Sequence, residues 1–355
     1  MVTLHQLLKA TILKGASDLH ITVGSPPALR VDGSMVRVKS PPLTAEETRS
    51  ICYSFLTDSQ KSYFEEHREL DFSFEVKNLA RFRGNLMFQQ GAVAGVFRRV
   101  PVDIPHYSQL GLPKSVTDLT NQANGLILVC GPTGSGKSTT IASLIDKINE
   151  EFQGHIVTFE DPIEFTHRHK SCVVNQREIG SDTLSFTAAL KHVLRQDPDV
   201  VMLGELRDLA TVEAALTIAE TGHLVFATLH TNSAVQTVSR MVNVFPGDQQ
   251  DRVRVLLASV LRGVVCQQLV PAKQGGRLLV LEVLLMTPSV RNLIRENKLH
   301  QIYGQMQVGQ EKTGMMTLNQ SILYLLMRRK IDLKEAFAIS PDVEELNSLI
   351  EKAGV

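Results

Sequence analysis

Gly131-Pro-Thr-Gly-Ser-Gly-Lys-Ser138 stands between the apolar run Gly125-Leu-Ile-Leu-Val-Cys130 and a helical pattern from Thr139 to Asn149. The octapeptide fits GxxxxGK[ST], and a strand before it with a helix after it is the context this pattern requires. The glycines let backbone N–H groups turn inward and approach phosphate oxygens where a Cβ would block them. The start of the following helix adds partial positive charge. Lys137 is placed to bridge the β- and γ-phosphates of ATP, and the Ser138 hydroxyl to ligate Mg²⁺. The expected nucleotide-binding residues are therefore Gly131, Pro132, Thr133, Gly134, Ser135, Gly136, Lys137, Ser138 and Thr139.

Working outward, three more short apolar runs follow: HIVTF (155–159), DVVML (199–203) and HLVFATL (223–229), with helical segments between most of them. Nearly all-apolar strands alternating with helices imply a parallel sheet covered on both faces. From about 233 the pattern is mainly helical. The exception is a hairpin expected from CQQLV (266–270) and RLLVLEVLL (277–285), joined by Gly275-Gly276.

A phosphate loop alone only binds. Hydrolysis also needs a positioned water and charge stabilisation in the transition state. The carboxyl ends of parallel strands, where such sheets bind ligands, offer both. Glu160 follows HIVTF directly, before the helix-breaking Pro162, and is the candidate for orienting or deprotonating water. The competing reading is a solvated turn of Glu160, Asp161 and Glu164. Glu205 ends the next strand, after Gly204 where an aspartate usually stands, and is the candidate hydrolytic carboxylate, placed to reach Mg²⁺ through water. Arg207 is its expected charge partner, and a plain surface glutamate is the alternative. His230, at the carboxyl end of HLVFATL, is placed to sense the γ-phosphate, while His223 lies at the opposite end. Structural roles for both histidines stay open.

Residues 1 to about 100 read as a small α+β unit. A helix (about 4–14), short alternating strands, a helical stretch (44–67) and three longer strands (70–76, 80–88, 91–100) suggest a mixed or antiparallel sheet. Period-2 alternation puts Arg81 and Arg83 on one face, with Arg98 and Arg99 on the adjacent strand. On spacing alone these arginines read as a solvated face. Pro101, Pro105 and Pro113 mark a linker. The expected domains are 1–100, a linker over 101–113, an ATPase core over 114–286 and a helical region over 287–355.

Lys+Arg and Asp+Glu are equal at 37 each, so charge alone gives the chain no hold on nucleic acid or anionic lipid. Four scattered cysteines form no CxxC pair and exclude a zinc-ligand spacing. No run approaches the ~20 apolar residues that span a bilayer. A cytoplasmic protein without direct membrane insertion is expected.

Together, GASDLHI (15–21), RFRGN (81–85), GPTGSGKST (131–139), EDPIEF (160–165), VNQRE (174–178), LRQDPDVVMLGELRD (194–208) and AETGHLVFATLHTNSA (219–234) resemble the type II/IV secretion ATPase superfamily. Within it the chain is most similar to the type IV pilus retraction ATPases. The resemblance runs through most of the chain in the family's order. It implies an α/β architecture: a PAS-like α+β N-terminal domain, then a RecA-like phosphate-loop domain with a helical C-terminal region. It also implies a homohexamer in which Arg83 and Arg98 reach the nucleotide of a neighbouring subunit, with Arg81 a weaker third choice. The implied partner is a platform protein of the inner membrane, with the motor at its cytoplasmic face.

Ser289-Val-Arg-Asn-Leu-Ile-Arg-Glu296 resembles a retraction signature, AIRNLIRE, departing at Ser289 and Val290. The chain starts directly at the PAS-like region and carries no tetracysteine motif, which also speaks for retraction. The rivals are an extension or type II secretion ATPase of the same superfamily, a nucleic-acid motor, and a phosphate-loop kinase.

Overall fold

Three helices of the N-terminal region start the same way. Thr3, Thr44 and Thr57 each accept from the backbone N–H three residues on, and Gln6, Glu47 and Gln60 reach back to the capping residue. This reciprocal T-x-x-E/Q box satisfies helix-start donors that would otherwise be orphaned. It starts the helices Leu4–Leu13, Ala45–Tyr53 and Asp58–His67. The computed structural model describes residues 2–31, 33–77, 79–100 and 103–354. Pro101 and Val102 of the expected linker lie outside the described residues.

The chain divides into two units: Met1–Asp103 with Pro162–Thr166, and Ile104–Asp161 with His167–Val355. The first unit holds six strands, β1 (Asp18–Ile21), β2 (Ala28–Val31), β3 (Ser34–Arg37), β4 (Glu69–Val76), β5 (Ala80–Gln89) and β6 (Ala92–Arg99). They form one antiparallel sheet in the order β3-β2-β1-β6-β5-β4. Alternation along β5 buries Phe82, Gly84 and Leu86, leaving Arg81, Arg83 and Asn85 on the other face. The buried face joins Phe97, Leu19, Leu29 and the helix residues Leu4, Leu8 and Phe64 in one core. Gly84 belongs to that core for a steric reason, because a Cβ there would lie 2.5 Å from the Phe72 ring.

The second unit holds β7 (Gly125–Cys130), β8 (His155–Glu160), β9 (Val173–Glu178), β10 (Val200–Leu203), β11 (Leu224–Leu229), β12 (Leu261–Pro271) and β13 (Arg277–Leu285). The order is β13-β12-β7-β11-β10-β8-β9. All neighbours are parallel except the β12–β13 hairpin. β7, β10 and β11 are buried along their whole length, as strands covered on both faces must be. Their side chains feed two cores. Leu126, Leu128 and Cys130 pack toward the helices Leu209–Glu220, Ala234–Asn243 and Gln250–Val260. Ile127 and Val129 pack toward the helix Lys137–Glu151.

Two strands differ from the sequence expectation. β9 alternates exposed and buried residues at the edge of the sheet, so its polar sequence hides it. β12 begins five residues before CQQLV, directly after the helix Gln250–Val260 and with no intervening loop residue. Arg291, in the segment resembling the retraction signature, donates to the carbonyls of Ala258 and Ser259 (3.1 Å to the latter) and so closes the end of that helix.

The C-terminal helices Leu318–Met327, Leu333–Ile339 and Val343–Ala353 pack on Val270 and Val280 of the hairpin. Glu282 of β13, 2% exposed, anchors this region. It accepts from Ala234 N at 2.7 Å and from the backbone of Leu318, the first residues of two helices. Burial pushes its carboxyl above the usual range, against the opposing pull of those two backbone donors. Among the described residues no helix is long and apolar enough to cross a membrane.

Candidate active site

β7, β8, β10 and β11 are contiguous and parallel apart from their order, so the residues leaving their carboxyl ends emerge at one edge. Those residues are Gly131, Glu160, Gly204-Glu205 and His230. Open α/β sheets bind ligands at this edge.

The phosphate loop takes left-handed backbone at Gly134 (φ 80°) and Gly136 (φ 87°). Gly131, at φ 141°, presses against β12, where a Cβ would lie 2.3 Å from the Gln267 carbonyl oxygen. Helix Lys137–Glu151 starts at Gly136 without a side-chain cap. Its leading N–H groups therefore remain for an anion, unlike those of the threonine-capped helices. Ser138 and Thr139 lie in its first turn.

Lys137 is 9% exposed, and its Nζ donates to the carbonyls of Gly131 (2.7 Å) and Pro132 (3.0 Å). The same Nζ lies 3.5 Å from His230 Nδ1. His230 Nε2 is 3.4 Å from Glu205 Oε1, and Arg207 Nε donates to Glu205 Oε2 at 2.8 Å. A continuous polar chain thus runs Lys137–His230–Glu205–Arg207. The bond to Glu205 raises the pKa of Arg207 further above its ordinary value. The Thr228 hydroxyl donates to Gly204 O, and Leu206 N donates to Thr228 O (3.0 Å), so both peptides flanking Glu205 are pinned to β11.

Glu160 is not a solvated turn residue. It is 7% exposed, and its Oε1 accepts from Thr158 Oγ1 (2.6 Å) and Gln176 Nε2 (3.0 Å). Both donors meet the same carboxylate oxygen and fix its orientation within the sheet edge. Gln176 comes from the edge strand β9, the element that sequence reading overlooked. His223 lies at the amino end of β11 and packs on the helix Leu209–Glu220. Its Nδ1 is 3.1 Å from both Ile218 O and Thr221 Oγ1.

Among the described residues, no group of three or more His, Cys, Asp and Glu forms a protein-only metal cage. Mg²⁺ does not need one, since it keeps several waters and takes one or two protein oxygens beside substrate phosphates.

In the first unit, Arg83 and Arg98 are direct partners across β5 and β6, on the polar face of the sheet. Arg98 Nε is 2.7 Å from Asp18 Oδ1, and Arg30 Nε is 3.9 Å from Asp18 Oδ2. Asp18 is 3% exposed. Burial opposes its charge, but the Ser17 hydroxyl and the Arg98 guanidinium outweigh that and hold its carboxyl below the usual value. Asp18 lies in the quoted stretch GASDLHI, yet only the β1–β6 register reveals its partner.

The description "Type II/IV secretion system protein" matches residues 1–275. The type IV pilus retraction ATPase PilT of Pseudomonas aeruginosa is 45% identical over 93% of this chain and 96% of its own length. A twitching motility protein of Neisseria gonorrhoeae is 46% identical over 84% of this chain and 80% of its own. A crystal structure of the pilus retraction motor PilT with bound ADP matches with a TM-score of 0.93 at 48% identity, covering 98% of this chain and 100% of that one.

Proposed function

The chain belongs to the type II/IV secretion system protein family, and from that premise we propose that it is an ATP-driven motor that retracts type IV pili. Similarity to a retraction ATPase along nearly the whole chain supports the direction of movement. The observation that carries the chemistry is the polar chain Lys137–His230–Glu205–Arg207 at the carboxyl ends of the sheet.

In this reading the loop N–H groups and Lys137 bind the β- and γ-phosphates. The Ser138 hydroxyl and, through water, Glu205 hold Mg²⁺, which neutralises developing phosphate charge when bound. Either Glu160 or Glu205 orients the attacking water. Glu160 has the more enclosed carboxylate and Glu205 the better link to Lys137. His230, between Lys137 and Glu205, is positioned to report the γ-phosphate to both. Six copies form a ring, and Arg83 and Arg98 of one subunit serve the nucleotide of its neighbour. Movement of the N-terminal domain against the motor domain turns a platform protein at the cytoplasmic face of the inner membrane.

A strain lacking the gene tests the direction. Abundant immobile pili are the expected result, and a bald cell would make this an extension motor. ATP turnover by the purified protein in Mg²⁺ tests the chemistry, and stimulation only by DNA would point to a nucleic-acid motor.

A further inference from the structure

We propose that Gln267 is a positioning residue for the phosphate loop, one that sets nucleotide affinity without taking part in the chemistry. The proposal rests on reading residues 131–138 as the nucleotide site. β12 runs parallel to β7 with Cys266 opposite Cys130, so the next residues along, Gln267 and Gly131, lie side by side where the loop begins.

Gln267 is 1% exposed, in a strand whose preceding residues Val264, Val265 and Cys266 are buried and non-polar or weakly polar. A buried amide there is costly unless it is bonded. Its Nε2 donates to Ser135 O at 2.8 Å, across the loop. The same Nε2 lies 3.3 Å from where a Cβ on Gly136 would be, and the Gln267 carbonyl lies 2.3 Å from where one on Gly131 would be. A single residue therefore braces both ends of the loop, its peptide at Gly131 and its side chain at Ser135-Gly136. Gln267 Oε1 is buried and has no hydrogen-bond partner among the described residues. The acceptor side of the amide is thus unused, a cost that an apolar side chain of the same volume would avoid. What the glutamine adds is the donor.

That donor has a directional effect. In a trans peptide the C=O and the following N–H point in opposite directions. Drawing Ser135 O toward β12 turns the Gly136 N–H away from β12, to the loop side on which phosphate oxygens are bound. Without the bond this peptide is free to rotate, and loop order must be restored at each binding event.

The test uses the full-length protein with ADP and ATP in Mg²⁺. Gln267→Met keeps the volume and removes the donor. It should weaken ADP binding and raise KM about tenfold, the effect of losing one oriented hydrogen bond, while kcat at saturation stays within about twofold. Gln267→Glu keeps the shape but accepts only. Facing the Ser135 carbonyl and an anionic ligand, it should weaken binding more than the Met variant does. Wild-type ADP affinity in both variants would overturn the proposal. So would a parallel fall in kcat, affinity and ligand-free Tm, the mark of a general packing role. Lys137→Ala, run alongside, separates the two readings. If it loses ADP while the Gln267 variants keep it, the loop reading stands and this proposal falls. If it too binds normally, the nucleotide site itself is misassigned.

Discussion

In the seven-stranded sheet Glu160, Glu205 and His230 stand at or just beyond the carboxyl ends of their strands, with Lys137 opening the helix that follows β7, whereas in the six-stranded sheet Arg83 and Arg98 sit within their strands on one face. The reason is burial. A parallel sheet with helices on both faces has no free face, so its polar groups collect where the strands stop. An antiparallel sheet packed on one side leaves alternate residues of every strand open, and a charged row can cross it. The row Arg30–Asp18–Arg98–Arg83 is such a case, set by register alone. The first sheet suits closing on a ligand at one edge. The second suits offering charge to something outside its own unit.

Substitutions probe this division, beginning with the largest effect. Lys137→Ala should remove nucleotide binding and reduce turnover below detection, read by ADP titration and phosphate release. Arg83→Ala should leave ADP affinity and Tm unchanged yet cut turnover by about 10³-fold, the scale of an arginine supplied in trans. Mixing it with Lys137→Ala subunits should restore measurable turnover, because each lacks what the other has. No recovery would break the contrast between the two sheets. Glu205→Gln and Glu160→Gln should each spare binding. The one that orients water should lose about 10²-fold or more in kcat, and the other less.

A weaker effect is expected at Asp18→Asn, where Arg98 loses its buried partner. Turnover should fall several-fold with ADP affinity intact, and the loss should not add to that of Arg98→Ala. Smallest are two opposite pH effects, one in each unit. The lowered pKa of Asp18 gives stability that is present above its ordinary value of 3.8 and lost as pH falls through the folded value. Glu282 is raised from 4.5, so the native state holds its proton longer, and its contribution declines as pH rises from 4.5 through the folded value. Glu282→Gln should flatten the thermal stability profile across that higher window only.

Much of this architecture is legible in the residues. The apolar runs of β7, β8, β10 and β11 are bounded by turn residues and can hardly be anything else, and the phosphate loop declares which end of them matters. β9 is harder to see because an edge strand needs no apolar face on its open side. Glu160 has the composition of a turn, and only its donors Thr158 and Gln176 show it to be enclosed. The Asp18–Arg98 pair is separated by 80 positions, a pairing that spacing does not encode. Gln267 was detectable in principle as a polar residue inside an otherwise buried strand, the kind of exception that merits explanation.

The joint between Val260 and Leu261 has a consequence for how this chain tolerates change in length. Helix passes into strand there with no loop between them, one extra residue is already taken up against β7 between Leu261 and Gly263, and Arg291 fixes the helix end. One residue inserted between 263 and 267, past that irregularity, would slip the rest of β12 by one place. Every β12 side chain beyond it would then turn to the opposite face. Gln267 would leave the phosphate loop, and an apolar neighbour would take its place. Families of such chains should therefore vary in identity along this stretch while keeping its length, and admit insertions instead at the Gly275-Gly276 turn, where a Cβ meets nothing within 4 Å.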